Sequence, residues 1–479
     1  MEMESQRGEK PATGVFGRAW RRVKALPEGL FAKVVDIARQ TRDVATDDPR
    51  RVVHSLKAGL ALTLVSLLYY LHPLYHNFGV STMWAVMTVV VVFEFTVGAT
   101  LGKGLNRALA TLLACALGVG AHYLASTTGK ICEPLLLGFF VFVQAVASTF
   151  IRFFPAVKAR YDYGLLIFIL TFCLVSISGF RTHEILELAH KRFSTIAIGA
   201  SVCVIVSIFV CPVWAGEDLH RLVASNLEIL GNFLEGFGAE YFKSSEEEES
   251  SKEAKPSMVG YKSVLNSKTT EEALANFARW EPGHGRFKFR HPWKQYLKVG
   301  TLTRQCACRV EALNGYLNSK IQGPGEMRRI MKGTCTKMSM ESGKALQELA
   351  SSVRNMNHPS SANKHMANSK TAAKNLKLLL SSSFWEDVDL LQVIPVAAVA
   401  SILTEIVVCV ENIAESVSEL AAAAQFKDNA ESAAAHFKDN AESPPESSSS
   451  SASDSDHVVI AVGEIMAAPA AEANQSRCL

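Results

Sequence analysis

The sequence lacks the marks of several large protein classes. Its 479 residues carry a net charge of only +3, which is too balanced to suggest a nucleic-acid partner. The glycines near 281–285 and 323–325 flank prolines and match no phosphate-binding loop, and no GKS or GKT follows them. His183 and His190 stand seven apart without a second pair of ligands, so we expect no metal site and no cofactor. These absences argue against an enzyme.

Secretory and disulfide signals are equally sparse. The ten cysteines are scattered, and only Cys132 falls in a predicted outer loop, so an external disulfide within one chain is not expected. The chain opens with polar and charged residues, and its first apolar run starts near Leu56, unlike a secretory signal peptide. No convincing run of alternating strand residues is present. The chain is therefore expected to be helical.

Long apolar runs are what the sequence has instead. Six of them, each roughly 15–21 residues long, are long enough to cross a ~30 Å hydrocarbon layer as helices. A soluble domain does not bury six such helices in one block, so we predict an all-α membrane protein with six spans per subunit. The six runs are Leu56–Leu71, Val80–Val97, Leu105–Leu124, Leu135–Ile151, Tyr163–Ile177 and Phe193–Val213.

The composition changes along the chain and predicts its domains. After Pro212, apolar residues at 3–4 spacing indicate amphipathic helices, which include a stretch from Trp385 to about Phe426. A duplicated FKDNAES segment in the tail is interpreted as a copying event rather than a binding repeat. The predicted regions are a basic cytosolic segment (1–52), the transmembrane domain (53–215), a helical cytosolic domain (216–426) with an acidic linker (244–257), and a disordered low-complexity tail (427–479).

Basic residues set the predicted orientation. Lys and Arg are frequent before the first span and in the loops after spans two and four, which places both termini in the cytosol. The loop between spans five and six conflicts with this topology, because it is placed outside and yet carries Arg181, Lys191 and Arg192.

Six cations lie at the edges of the predicted spans. Each of them could simply snorkel to the lipid headgroups. As a set they suggest an electropositive path, because rings of Arg or Lys attract anions to a pore and the planar Arg group holds both oxygens of a carboxylate. The six are Lys57, Arg107, Arg152, Arg181, Lys191 and Arg192.

One acid and two glycines stand out near the end of the second run. Glu94 is a functional-site candidate because charge at membrane depth is costly. We favour a structural ion pair with a nearby cation (Lys57, Lys103 or Arg107). Gly98 and Gly102 form a GxxxG pair, for which close helix packing is preferred over a re-entrant turn between spans two and three.

Five segments carry a specific resemblance. They are WAVMTVVVVFEFTVGATLGKGLNR (Trp84–Arg107), RFFPAVKARYDYGLLIFILTF (Arg152–Phe172), SGFR (Ser178–Arg181), FVCPVWAGEDLH (Phe209–His220) and ARWEPGHGRFKFRHPWKQY (Ala278–Tyr296). Together they resemble the plant aluminium-activated malate transporter family, and its root malate-efflux branch in particular. The likeness covers about Asp48 to Phe426 and includes the family's Trp-Glu-Pro signature, whose Trp280, Glu281 and Pro282 we expect to be structural or gating residues.

The resemblance implies a homodimeric anion channel embedded in membrane lipid. Malate, nitrate, chloride and sulfate are the implied permeants, and basic side chains are the implied pore lining. Arg107 and Arg192 are carried over as pore residues at the starts of spans three and six, and the other edge cations are secondary candidates. Lys191 and Arg192 would then begin span six and turn inward. The root-efflux likeness favours the plasma membrane over the vacuolar membrane.

Sensitivity to aluminium remains open. A small trivalent cation needs hard oxygen ligands. The loop after span one offers His72, His76 and Asn77 but no carboxylate, whereas Glu184 and Glu187 precede span six.

Two other functions remain open from the sequence. A proton-coupled organic-acid carrier should show broken helices and a buried protonatable site, for which Glu94 is the candidate. A non-transporting membrane scaffold with a docking cytosolic domain is the third possibility.

Overall fold

The computed structural model of the protein describes residues 33–70, 83–129, 131–179, 185–242, 260–319, 325–380 and 390–427. These residues contain helices and no strand, and their β-like pairing is limited to isolated bridges at His284–Phe287 and Asn357–Lys427. The expected helical character holds for this part of the chain. The predicted acidic linker, and the tail from 428 onward, lie outside the described residues.

The apolar first half forms a series of helices. Four stretches in it are long and apolar enough to cross a membrane: Val97–Ser126, Glu133–Ile151, Arg160–Ser178 and Ala189–Phe209. A helix satisfies its own backbone groups, which makes such segments stable in lipid. The helices are α1 (33–47), α2 (Pro49–Tyr70), α3 (Met83–Val92), α4 (Val97–Ser126), α5 (Glu133–Ile151), α6 (Pro155–Gly179) and α7 (Ile185–Phe209).

The second and third predicted spans have the wrong bounds. The described part of α3, Met83–Val92, contains 10 residues and is about 15 Å long, and the helix ends at Val92, before the end of the predicted run. α4 begins at Val97 rather than at Leu105, and the Thr96 hydroxyl caps it by accepting a hydrogen bond from the Ala99 N–H at 3.3 Å. A threonine N-cap hardly changes the hydropathy of an apolar run. Hydropathy therefore predicted one span that continued to Val97, past the end of α3.

The second half forms a helical bundle around one extensive apolar core. Apolar residues recur every three or four positions on the core side of α8, and all of them are buried: Leu219, Val223, Leu227, Leu230 and Leu234. The helices are α8 (Ala215–Tyr241), α9 (Tyr261–Leu265), α10 (Lys268–Ala278), α11 (Trp293–Leu317), α12 (Gly325–Asn355), α13 (Ala362–Leu380) and α14 (Leu390–Ala424).

α14 is a fifth segment that could span a membrane by length and composition, over Val393–Ala424. The sequence predicted a bundle helix here and no span. Its buried residues follow a seven-residue repeat and belong to the same core as those of α8 (Val396, Val399, Leu403, Ile406, Val410, Ile413, Val417 and Leu420). Its acids also pair with neighbouring bundle helices: Glu405 with Arg309, Glu411 with Lys370 and Glu419 with Lys298. The apolar repeat is therefore accounted for by helix packing.

The apolar first half and the bundle meet where two membrane helices end. The Val97 N–H at the start of α4 donates to the Val213 carbonyl at 2.9 Å, four residues beyond the end of α7. Trp214 is then the N-cap of α8. The start of α4 and the end of α7 thus lie at one face, next to the first bundle helix.

Candidate functional site

Arg107 is buried inside the membrane helices. It lies on α4, ten residues after Val97, and is 5% exposed. One guanidinium nitrogen donates to the Tyr163 hydroxyl of α6 at 2.9 Å, whereas Nε is buried and has no hydrogen-bond partner. No carboxylate pairs with Arg107 in the described part of the chain. Its charge is therefore left for water or an anion to solvate.

Arg192 is the second buried guanidinium. It lies on α7 and is 7% exposed. Its Cζ atom lies 3.9 Å from the ring centroid of Trp84 on α3, a cation–π contact. None of the acids in the described ranges forms an ion pair with it. An aromatic face replaces only part of the hydration of a guanidinium, so this site also favours an anion.

The two guanidinium groups lie at neighbouring depths of the membrane helices. The Cys115 thiol of α4 approaches the Ala189 carbonyl of α7 at 4.0 Å, which fixes the register of these antiparallel helices. Counting along both helices from that contact places Arg107 and Arg192 about 7 Å apart in depth. Two buried like charges at neighbouring depths on adjacent helices make this part of the helix packing electropositive.

The other predicted pore cations have different surroundings. Arg152 makes a bidentate ion pair with Asp162, in which Nε lies 2.6 Å from Oδ1 and a terminal guanidinium nitrogen lies 3.2 Å from Oδ2. Lys191 pairs with Glu187 at 2.5 Å, one turn earlier on α7. Lys57 lies on α2 and is 2% exposed. Arg181 lies outside the described residues. The structure thus brings Arg107 and Arg192 together and gives Arg152 and Lys191 acidic neighbours.

Glu94 lies in the break between α3 and α4. It forms an ion pair with Lys103, one of the three partners considered from the sequence, and its side chain is 34% exposed. The Thr100 hydroxyl bonds to both the N–H and the carbonyl of Glu94, at 3.0 and 3.2 Å. Glu94 therefore lies outside the described helices, at the point where the helical structure of the apolar run is interrupted.

The Trp-Glu-Pro segment contacts the start of α4. A Cβ atom at Gly102 would lie 2.9 Å from the Trp280 ring, and one at Gly98 would clash with the Phe277 carbonyl. The GxxxG pair therefore packs closely against a neighbouring segment, as the sequence predicted. The segment it packs against is α10 of the bundle together with the turn that follows α10.

Glu281 caps the first bundle helix from a distance of 65 residues in sequence. Its two carboxylate oxygens accept hydrogen bonds from the N–H groups of Ala215 at 2.6 Å and Gly216 at 3.0 Å. Burial raises the pKa of Glu281, while the N–H donors of Gly216 and Ala215 and the nearby His284 pull it down. A carboxylate at a helix N-terminus is favoured by the helix dipole. Glu281 therefore ties the turn after α10 to the segment that leaves α7.

A buried chain of polar rings lies behind this segment. The His291 Nε2 donates to the Tyr296 hydroxyl at 3.2 Å, Tyr296 donates to His220 Nδ1 at 2.9 Å, and His220 Nε2 donates to the Arg354 carbonyl at 3.3 Å. Burial lowers the pKa of His220 to about 4 and that of His291 to about 4. At neutral pH both histidines are thus neutral, and a neutral His220 that donates from Nε2 accepts at Nδ1, in agreement with this chain of hydrogen bonds.

Sequence reasoning missed Trp84 and Tyr163 as partners of the two arginines. Both stand in the segments that carry the family resemblance, but nothing in their spacing links them to Arg192 or Arg107. The pairing depends on how α3 and α6 pack, which a single sequence does not encode locally. No group of three or more potential metal ligands occurs among the described residues.

Comparison with known proteins decides the family. The family model "Aluminium activated malate transporter" matches residues 42–385. The chain belongs to the aluminium-activated malate transporter family. It is 55% identical to Aluminum-activated malate transporter 2 of Arabidopsis thaliana over 435 residues, covering 90% of this chain and 86% of that protein. It is 49% identical to Aluminum-activated malate transporter 1 of Triticum aestivum over 414 residues, covering 84% and 89%.

The family membership confirms the resemblance drawn from the sequence. The members it matches are transporters by name, in agreement with the expectation that the chain is not an enzyme. The apolar helices and the transporter relatives together make it a multi-pass membrane protein.

Proposed function

We propose that this protein is an anion-selective channel through which malate and related anions leave the cell across a plant plasma membrane. The observation that carries the proposal is the pair of buried guanidinium groups at Arg107 and Arg192, which lack acidic partners within the described residues. An isolated charge is very costly to bury unless water or a counter-ion reaches it. A water-filled anion path next to both groups resolves that cost.

The proposed topology keeps six spans per subunit with both termini in the cytosol. α2 and the interrupted α3 supply the first two crossings, and α4 to α7 supply the other four. The helical region 216–426 is proposed to be cytosolic, α14 included, because its apolar repeat packs into the bundle core and its acids pair with bundle cations. The boundaries at 53, 215 and 427 remain those read from composition.

A homodimer is part of the proposal. Arg107 and Arg192 come from two helices of one subunit, and a two-fold axis would repeat both charges around a shared path. The mass of the purified protein in detergent, after correction for bound detergent, tests this. A value twice that of the chain is expected, and a monomer that conducts would contradict it.

The pore assignment is tested by charge removal. Arg107→Gln and Arg192→Gln should each lower malate current at least several-fold with surface expression retained, because each change removes attraction for a divalent anion. Lys158→Gln is the matched control, since Lys158 is an exposed cation of the same membrane region and should leave the current unchanged. Wild-type current and selectivity in both arginine variants would count against the assignment.

A proton-coupled carrier is the second candidate, and one observation favours it. The chain is broken between α3 and α4 at the position of Glu94, as in carriers whose sites lie at interrupted helices. Glu94 is however ion-paired with Lys103 and a third exposed. Glu94→Gln separates the two functions: a carrier would lose its dependence on the proton gradient, whereas a channel would show no such dependence before or after the change.

A further inference from the structure

The connection between α10 and α11 together with the first two residues of α11, residues 279–294, is strongly basic, and we call it the basic loop. It carries five cations and a single acid, Glu281, whose carboxylate is occupied by the α8 N–H groups. Arg286 donates to the Arg354 carbonyl and Lys288 to the Gln425 side chain. The side chains of the remaining three, Arg279, Arg290 and Lys294, form neither an ion pair nor a hydrogen bond with any described residue.

These three cations line a cavity. It has a volume of about 350 Å³, and its wall combines Arg279, Arg290 and Lys294 with the rings of His291 and Trp293. Small-molecule sites begin at roughly 300 Å³. The cavity therefore has room for a small anionic group. Its wall holds cations and aromatic rings, and its one acid is Glu281, whose carboxylate is already bonded to the α8 N–H groups.

The basic loop lies at a membrane face. Trp214, five residues beyond the end of α7, stacks on His284 of the loop with ring centroids 3.8 Å apart. Trp280 of the loop packs on Gly102 in the second turn of α4. Two membrane helices thus end at the loop, which places its cations near the depth of the lipid headgroups.

The tip of the loop exposes an aromatic side chain between cations. Phe289 is 69% exposed and stands between Lys288 and Arg290, whose guanidinium lies 5.6 Å from the Phe289 ring. Arg290 has a φ of 61°, a left-handed conformation that is costly for a long side chain. Such an outlier on an exposed loop is a pointer to function. Exposed aromatic and basic residues side by side are typical of membrane-interface anchors.

We propose that the basic loop binds the phosphorylated headgroup of an anionic membrane lipid, with Arg279, Arg290 and Lys294 around the phosphate and Phe289 in the acyl region. A phosphate held by several cations suits the charge of the cavity. Juxtamembrane cations attract anionic lipid electrostatically. The tie between this loop and the start of α4 would let lipid binding act on the membrane helices.

Lipid binding to purified full-length protein in detergent tests the proposal. The probe is dioctanoyl phosphatidylinositol 4-phosphate, with dioctanoyl phosphatidylcholine as the neutral comparison, and bound lipid is measured by native mass spectrometry. The variant Arg279→Gln/Arg290→Asn/Lys294→Gln should bind the anionic lipid at least 10-fold more weakly; Asn is chosen because it accepts the left-handed conformation. The matched control Lys332→Gln/Lys364→Gln/Lys374→Gln removes three exposed bundle cations that do not line the cavity, and should bind as wild type.

A second arm separates a lipid from a soluble anion. Phe289→Ser should weaken binding of the lipid but leave binding of free inositol phosphate unchanged. Equal lipid binding by the cavity variant and the wild type would overturn the site. Equal affinity for the lipid and for free inositol phosphate, with no effect of Phe289→Ser, would overturn the lipid assignment in favour of a soluble anion. Single substitutions of Arg279 and Lys294 provide the same comparison if the triple variant unfolds.

Discussion

Arg192 and Trp84 form a contact that bears on the proposed pore. The Trp84 indole ring faces the Arg192 guanidinium, with Cζ 3.9 Å from the ring centroid. A cation–π contact in a desolvated place is worth about 2 kcal/mol. In the proposed pore, the Trp84 ring would therefore compete with a carboxylate for the charge of Arg192, which would help a permeating anion to leave.

The first prediction concerns Trp84. Trp84→Leu should lower the malate concentration that gives half-maximal current, by up to about 10-fold, because the free guanidinium then interacts with the anion alone. Trp84→Phe keeps an aromatic face and should change this half-saturating malate concentration less. Current measured against malate concentration gives both values. An unchanged half-saturation in the Leu variant would show that the ring does not compete with the anion.

The second prediction concerns Glu281. Glu281→Gln removes the charge that holds the N–H groups of Ala215 and Gly216, so it should cost about 1–3 kcal/mol of stability. Thermal unfolding of the purified protein in detergent measures this. Glu272→Gln, an exposed acid of α10, is the control and should unfold as wild type. Equal unfolding temperatures for the two variants would mean that the cap contributes nothing.

At the scale of helices, the start of α4 connects the membrane region to the bundle. The third prediction is that Gly102→Ala destabilises this junction by about 1–3 kcal/mol, because the new Cβ would lie 2.9 Å from the Trp280 ring. Gly120→Ala on the same helix is the control, since nothing lies within 4 Å of its Cβ position. The unfolding temperature and the malate current should both fall for Gly102→Ala, and both should stay at the wild-type value for Gly120→Ala. The reverse order would show that the close contact is not what Gly102 provides.

Helix identity was predictable where hydropathy alone decides it. The runs at Leu135–Ile151, Tyr163–Ile177 and Phe193–Val213 fall on α5, α6 and α7. The break at Thr96 was not predictable, because the cap stands inside an unbroken apolar stretch. The sequence singled out Arg107 and Arg192 by their charge, but their partners Tyr163 and Trp84 depend on packing between distant helices.

At the scale of the whole molecule, the two buried histidines make the stability of the protein depend on pH. His220 and His291 have folded pKa values of about 4, below the ~6.5 of an unfolded chain. Between those values the unfolded chain binds more protons, so stability is lost as the pH falls through this window. Glu281 acts in the opposite direction, because its raised pKa makes stability fall as the pH rises above ~4.5.

The fourth prediction follows from this sign. The unfolding temperature of the full-length protein should drop between pH 7 and pH 5, with each buried histidine contributing up to about 2 kcal/mol at pH 5. His220→Phe should be less stable at pH 7, because the Tyr296 bond is lost, but should show a weaker dependence on pH. His358→Phe, at an exposed position, should keep the wild-type dependence. An unchanged pH profile in His220→Phe would rule out this histidine as the source.

The central claim is passive anion conduction past Arg107 and Arg192, and current through purified protein in a planar bilayer tests it most directly. With a malate gradient and equal pH on both sides, the current should reverse at the malate equilibrium potential. Imposing a pH gradient should leave that potential unchanged, and Arg107→Gln/Arg192→Gln should abolish most of the current. A reversal potential that follows the proton gradient, or full current in the double variant, would contradict the account.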